Sequence, residues 1–120
     1  MATISLCIQQ SPQLGHSYHA LRYARAAIAN GHQLQQIFFY QAGVLHALAS
    51  QHNAQHTADW IAFSHTHQVP LVVCHTVAEL YGIHAAVDGG QSNLNPAFDA
   101  AGLTEFLVAI NQSDKVVQFL

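Results

Sequence analysis

A chain of 120 residues with 51% hydrophobic composition can build one compact domain around a sizeable core and leaves little for a second. Only 8% of its residues are Asp, Glu, Lys or Arg, against roughly 25% in an average globular protein, which excludes a charge-driven disordered segment. Three basic residues against six acidic ones, a formal net charge of −3, exclude the Lys/Arg stripe that direct nucleic-acid binding requires.

Thr3 to Ile8 alternates with period two and is rich in β-branched residues, which predicts a strand, and Gln9 to Gly15 reads as the loop after it. Ala20, Leu21, Ala24, Ala27 and Ile28 draw one apolar stripe on a helix that Ser17 can cap and Asn30-Gly31 ends. Gln33 to Tyr40 is a second strand, and its unalternating Ile37-Phe38-Phe39-Tyr40 run implies burial on both faces. A short helix over Ala42 to Ser50 and another over Thr57 to His67 follow, the second stopped by Pro70.

Leu71-Val72-Val73-Cys74 is a short buried strand that turns at once into a helix. Thr76 and Glu79 have capping-box spacing for its start, and Gly82 ends it. Gly82 to Pro96 reads as loop, with Asp88-Gly89-Gly90 and Ser92-Asn93 as turn signals and at most a short fourth strand near His84 to Val87. Leu103, Phe106, Leu107 and Ile110 restore helical spacing, and Lys115 to Phe119 is a terminal strand. Strands alternating with helices imply an α/β fold, a mainly parallel sheet of about five strands with helices on both faces, in a single domain over residues 1–120.

In open α/β sheets reactive groups gather beyond the carboxyl ends of strands, where helix N-termini point their N–H groups outward. Cys74 occupies such a place. The dipole of the following helix would favour its thiolate or a persulfide anion, with His75 as a further aid if it lies within hydrogen-bond reach. The plainer alternative makes Cys74 a small buried apolar residue. Cys7, flanked by Leu6 and Ile8 inside the first strand, reads as core, and a disulfide between the two cysteines requires side chains facing across adjacent strands.

Ten histidines add a conditional charge, carrying the formal balance from −3 to +7 if all were protonated. His52 and His56 at i, i+4, and His16 and His19 at i, i+3, have spacings that suit metal ligands on a helix. No short Cys/His cluster supplies a third ligand, so neither metal nor cofactor is expected. Phosphate loops, Gly-x-Ser-x-Gly elbows and Cys-x-x-Cys pairs are absent from the sequence. Phe38, Phe39, Tyr40, Trp60 and Phe106 belong to the core or to a subunit contact. With no apolar run near the roughly 18 residues of a membrane span and no secretory leader, the chain reads as soluble and cytoplasmic with free thiols, and its low fixed charge favours an oligomer.

The sequence resembles the DsrE/DsrF-like sulfur-relay proteins, and among them the TusD/DsrE branch. The residues that carry the likeness are Ala27-Ile28-Ala29-Asn30-Gly31-His32, then Ile37 to Val44, Leu71-Val72-Val73-Cys74 with Gly82-Ile83, Ser92-Asn93-Leu94, Gly102-Leu103, and Ser113 to Phe119. The resemblance implies a three-layer α/β/α fold assembled into homo- or hetero-oligomers of related subunits. It also implies that Cys74 receives sulfane sulfur as a persulfide from a donor protein and hands it to a cysteine of a carrier protein, in wobble-uridine 2-thiolation of tRNA or in dissimilatory sulfur metabolism. Members of the family tend to carry small residues and an Arg pair in the helix after that cysteine, where this chain has His75, Thr76, Glu79, Leu80 and Tyr81. A non-catalytic scaffold or small-ligand-binding subunit is the alternative.

Overall fold

In the computed structural model, which describes residues 1–12, 17–48, 55–84 and 92–119 and only the backbone of 55 and 56, the β-branched opening segment lies inside a five-stranded sheet. The strands are β1 (Thr3–Ile8), β2 (Gln33–Phe39), β3 (Leu71–Cys74), β4 (Phe98–Ala101) and β5 (Lys115–Phe119). They stand in the order β4-β3-β2-β1-β5 with every neighbouring pair parallel. Parallel neighbours need crossovers, which the helices α1 (Tyr18–Ala29), α2 (Gln55–His67), α3 (His75–Leu80) and α4 (Leu103–Asn111) provide.

Two adjacent residues of β2 show how the layers form. Phe38 and Phe39 point to opposite faces of the sheet. Phe38 stacks on Phe106 of α4 with ring centroids 4.1 Å apart, whereas Phe39 meets Trp60 of α2 edge-on at 5.8 Å. Right-handed crossovers demand the same split, because β1 to β4 advance in one direction and the chain returns across the sheet to β5. They place α1, α2 and α3 on one face and α4 on the other. Ile37, Phe38, Phe39, Leu71 and Val73 are buried between these layers, each worth roughly 1.5–3 kcal/mol on leaving water.

The apolar stripe of α1 buries Ala20, Leu21, Ala24 and Ala27. Its end is a Schellman closure: the N–H of His32 donates to Ala27 O and that of Gly31 to Ile28 O, both at 3.0 Å, with Gly31 at φ +83°. Ser17 holds the N-cap position as expected, but its side chain makes no capping bond.

Three elements differ from the sequence reading. The helix expected over Ala42 to Ser50 is a 3-10 segment, Gln41–Ala47, where Gly43 presses against the end of β1. The fourth strand is Phe98–Ala101; of the expected stretch, His84 lies outside any strand and Ala85 to Val87 fall outside the described residues. The Thr76–Glu79 capping box does not form, because α3 begins two residues earlier, at His75 with Cys74 as its N-cap.

Candidate functional site

The unalternating run Leu71-Val72-Val73 threads β3 through the core and delivers Cys74 to the carboxyl edge of the sheet, in register with Ala101 of β4. Cys74 has extended backbone, φ −68° and ψ 117°, and α3 follows with no intervening loop. The unpaired N–H groups of the first turn of α3 therefore begin directly after the cysteine. The residue is only 4% exposed.

Three pieces of chain follow or pack on the β3–α3 junction. The exposed face of α3 carries His75, Thr76, Glu79 and Leu80, the last 80% exposed. His75 Nε2 lies 3.3 Å from Glu79 Oε1 on that face, and the ring makes no hydrogen bond with the Cys74 thiol. Behind it, α3 ends in a second Schellman closure, with the N–H of Ile83 donating to Ala78 O at 2.8 Å and that of Gly82 to Glu79 O at 3.0 Å.

Asn93 then fastens the chain beyond α3. Its Nδ2 donates to Gly82 O at 2.6 Å and its Oδ1 accepts the His84 N–H at 2.7 Å. Local sequence marks Asn93 only as a turn signal; in the fold its amide bridges both sides of the segment between His84 and Ser92. The third is the 3-10 segment, which packs on β3 and α3. The N–H of Asn95 donates to Ala47 O at 2.7 Å, and Leu48 bridges Leu94, so the 3-10 segment and the Asn93 brace hold each other.

Cys7 is placed quite differently. It lies in β1 between β2 and β5, in register with Phe38 and Gln118, and is 3% exposed. Burial pushes its thiol up to about 11, against a smaller opposing effect of a hydrogen bond with the Gln9 side chain. β2 separates the two cysteine strands, and Cys74 lies two residues beyond Val72, the residue level with Cys7. Strand and residue spacings put their Cα atoms about 12 Å apart, too far for a disulfide, and both are free thiols.

Of the histidine pairs, His16 and His52 lie outside the described residues, and His19 is exposed on α1. Among the described residues no three His, Cys, Asp or Glu side chains gather as metal ligands would. No helix among them is long and apolar enough to cross a membrane.

An all-parallel five-stranded sheet in this order, flanked by helices, defines an α/β class that known proteins share. Residues 4–119 match the model of the DsrE/DsrF-like family, and the chain belongs to that family. Within it, the chain is 37% identical over 109 residues to the sulfurtransferase TusD of Pectobacterium carotovorum, covering 83% of this chain and 84% of that one. A sulfurtransferase TusD homolog of Pasteurella multocida is 35% identical over 123 residues, 93% of this chain and 95% of that one. The fold is also that of the ychN protein from E. coli, with TM-score 0.74 at 22% identity, covering 99% of this chain and 100% of that one.

Proposed function

We propose that this chain is a sulfurtransferase subunit in which Cys74 carries sulfane sulfur as a persulfide. The observation that supports this most strongly is the contrast between its two cysteines. Both are buried, but Cys7 sits in mid-strand as a neutral thiol, whereas Cys74 ends its strand directly before the first N–H groups of α3. The Cys74 thiolate attacks the outer sulfur of a donor persulfide, forming a new S–S bond as the donor's bond breaks and its thiolate leaves. An acceptor thiolate then attacks the outer sulfur held on Cys74, and Cys74 departs as the thiolate. Neither step changes the total oxidation state, so no external oxidant is needed.

The TusD names of the relatives support a place in tRNA wobble-uridine thiolation, with donor and carrier proteins as partners; a dissimilatory sulfur pathway uses the same chemistry. Free cysteines suit a reducing cytoplasm. Leu103, Leu107 and Val108, exposed on α4, offer apolar surface for assembly with itself or with related subunits.

Because Cys74 is buried, transfer requires the chain around it to open locally. Incubation with a low-molecular-weight persulfide should add one sulfur to the wild type, read by mass spectrometry, and none to Cys74→Ser; equal labelling of both overturns the assignment. Iodoacetamide should alkylate Cys74 in native protein faster than the chain unfolds globally. Alkylation only at the global unfolding rate would instead support the scaffold reading, in which Cys74 is structural.

A further inference from the structure

The end of the sheet opposite Cys74 carries an open cavity of about 400 Å³, within the range of small-molecule sites. It exists because β5 lies at the sheet edge beyond β1 while α1 presents only alanines, Ala26 and Ala27, beneath it and Tyr23 at its side. Ala26 and Ala27 of α1, with Ala2 and Ile4, form an apolar floor. Tyr23, Asn30, His32 and Lys115 supply the polar groups around it.

Those polar groups have a definite sense. His32 Nδ1 accepts the Ala2 N–H at 3.0 Å, which puts the proton of the neutral ring on Nε2 and makes that atom a donor. Lys115 is exposed and forms no ion pair among the described residues. No carboxylate lines the cavity. The carbonyls of Ala26, Ala27 and Ile28 at the end of α1 already accept the N–H groups of Asn30, His32 and Gly31, and Ala26 O also accepts Asn30 Nδ2 at 2.7 Å. The cavity is left with a fixed positive charge and a ring N–H, over a floor with no polar side chain.

We propose that this cavity binds a small organic carboxylate, its anionic group between Lys115 and His32 and its apolar body on the alanine floor. Lys115 gives the charge-assisted contact and the histidine Nε2–H a directional one. Tyr23 closes the side of the cavity, its ring held edge-on against Phe119 at 5.7 Å. This site stands apart from Cys74 and does not depend on the sulfur-transfer reading.

The test is a backbone-amide NMR titration of the full chain with benzoate, alongside benzamide as its uncharged isostere. Benzoate should shift the amides of Ala2, His32 and Lys115 saturably, and benzamide should bind about tenfold or more weakly. Lys115→Gln should lower benzoate affinity about tenfold, while Lys115→Arg keeps it within about threefold. Shifts that fail to saturate, equal binding of benzamide, or undiminished binding by Lys115→Gln would overturn the proposal.

Discussion

Gly43 lies so close to the end of β1 that a Cβ there would overlap the carbonyl oxygen of Ile8. That same carbonyl accepts the Tyr40 N–H at 2.9 Å, so it is anchored and has little freedom to retreat. Gly43→Ala should therefore force backbone movement and cost about 1–3 kcal/mol in urea unfolding. Because the 3-10 segment packs on β3 and α3, the same variant should alkylate faster at Cys74 in the native state. An unchanged unfolding midpoint would mean that the close approach is not required.

Gly31 presents the opposite case: a Cβ added there would meet nothing within 4 Å, but the backbone holds a left-handed φ of +83°. Only that conformation penalises a side chain here. Gly31→Ala should destabilise by about 1–2 kcal/mol and Gly31→Asn by less, since Asn tolerates that region. Thermal unfolding of the two variants separates conformational strain from crowding.

The Cys7 thiol gives the fold an alkaline limit. Its ordinary value is 9.0 and burial raises it to about 11 in the native state. Between those values the unfolded chain loses the proton while the folded chain keeps it, so stability falls as pH rises from 9.0 toward 11. The loss attributable to this residue is at most about 2–3 kcal/mol. Cys7→Ala should be less stable at neutral pH because of the cavity it leaves, yet show a shallower decline above pH 9.0 in denaturant melts. A decline identical to wild type would remove Cys7 as its source.

Thr76 tests where α3 begins. As an N-cap its replacement by Ala would cost about 0.5–2 kcal/mol, but the cap is Cys74 and Thr76 is an exposed first-turn residue. Thr76→Ala should leave stability within about 0.5 kcal/mol of wild type. His75→Ala should do the same, because its pairing with Glu79 is solvent-exposed and screened by salt. A large loss in either melt would contradict the observed start of the helix.

The course of the chain is legible wherever side-chain periodicity and local chemistry agree. The stripe from Ala20 to Ile28 and the Asn30-Gly31 stop define α1 from both ends. Leu71-Val72-Val73 marks β3, and with it the place of Cys74. β4 is hidden because Phe98-Asp99-Ala100-Ala101 has weak intrinsic preference for strand; its pairing with β3 decides it. The capping box fails for a similar reason, since Glu79 faces His75 once the helix starts before Thr76. The bracing of the chain after α3 by Asn93, and the tie between Asn95 and the 3-10 segment, join distant parts of the chain that no local pattern encodes.

Five strands running the same way give the molecule two unlike poles. Lys115 opens β5 at one and Cys74 closes β3 at the other, about 20 Å away by strand spacing and rise. A body large enough to cover the thiol at one pole need not shadow the lysine at the other.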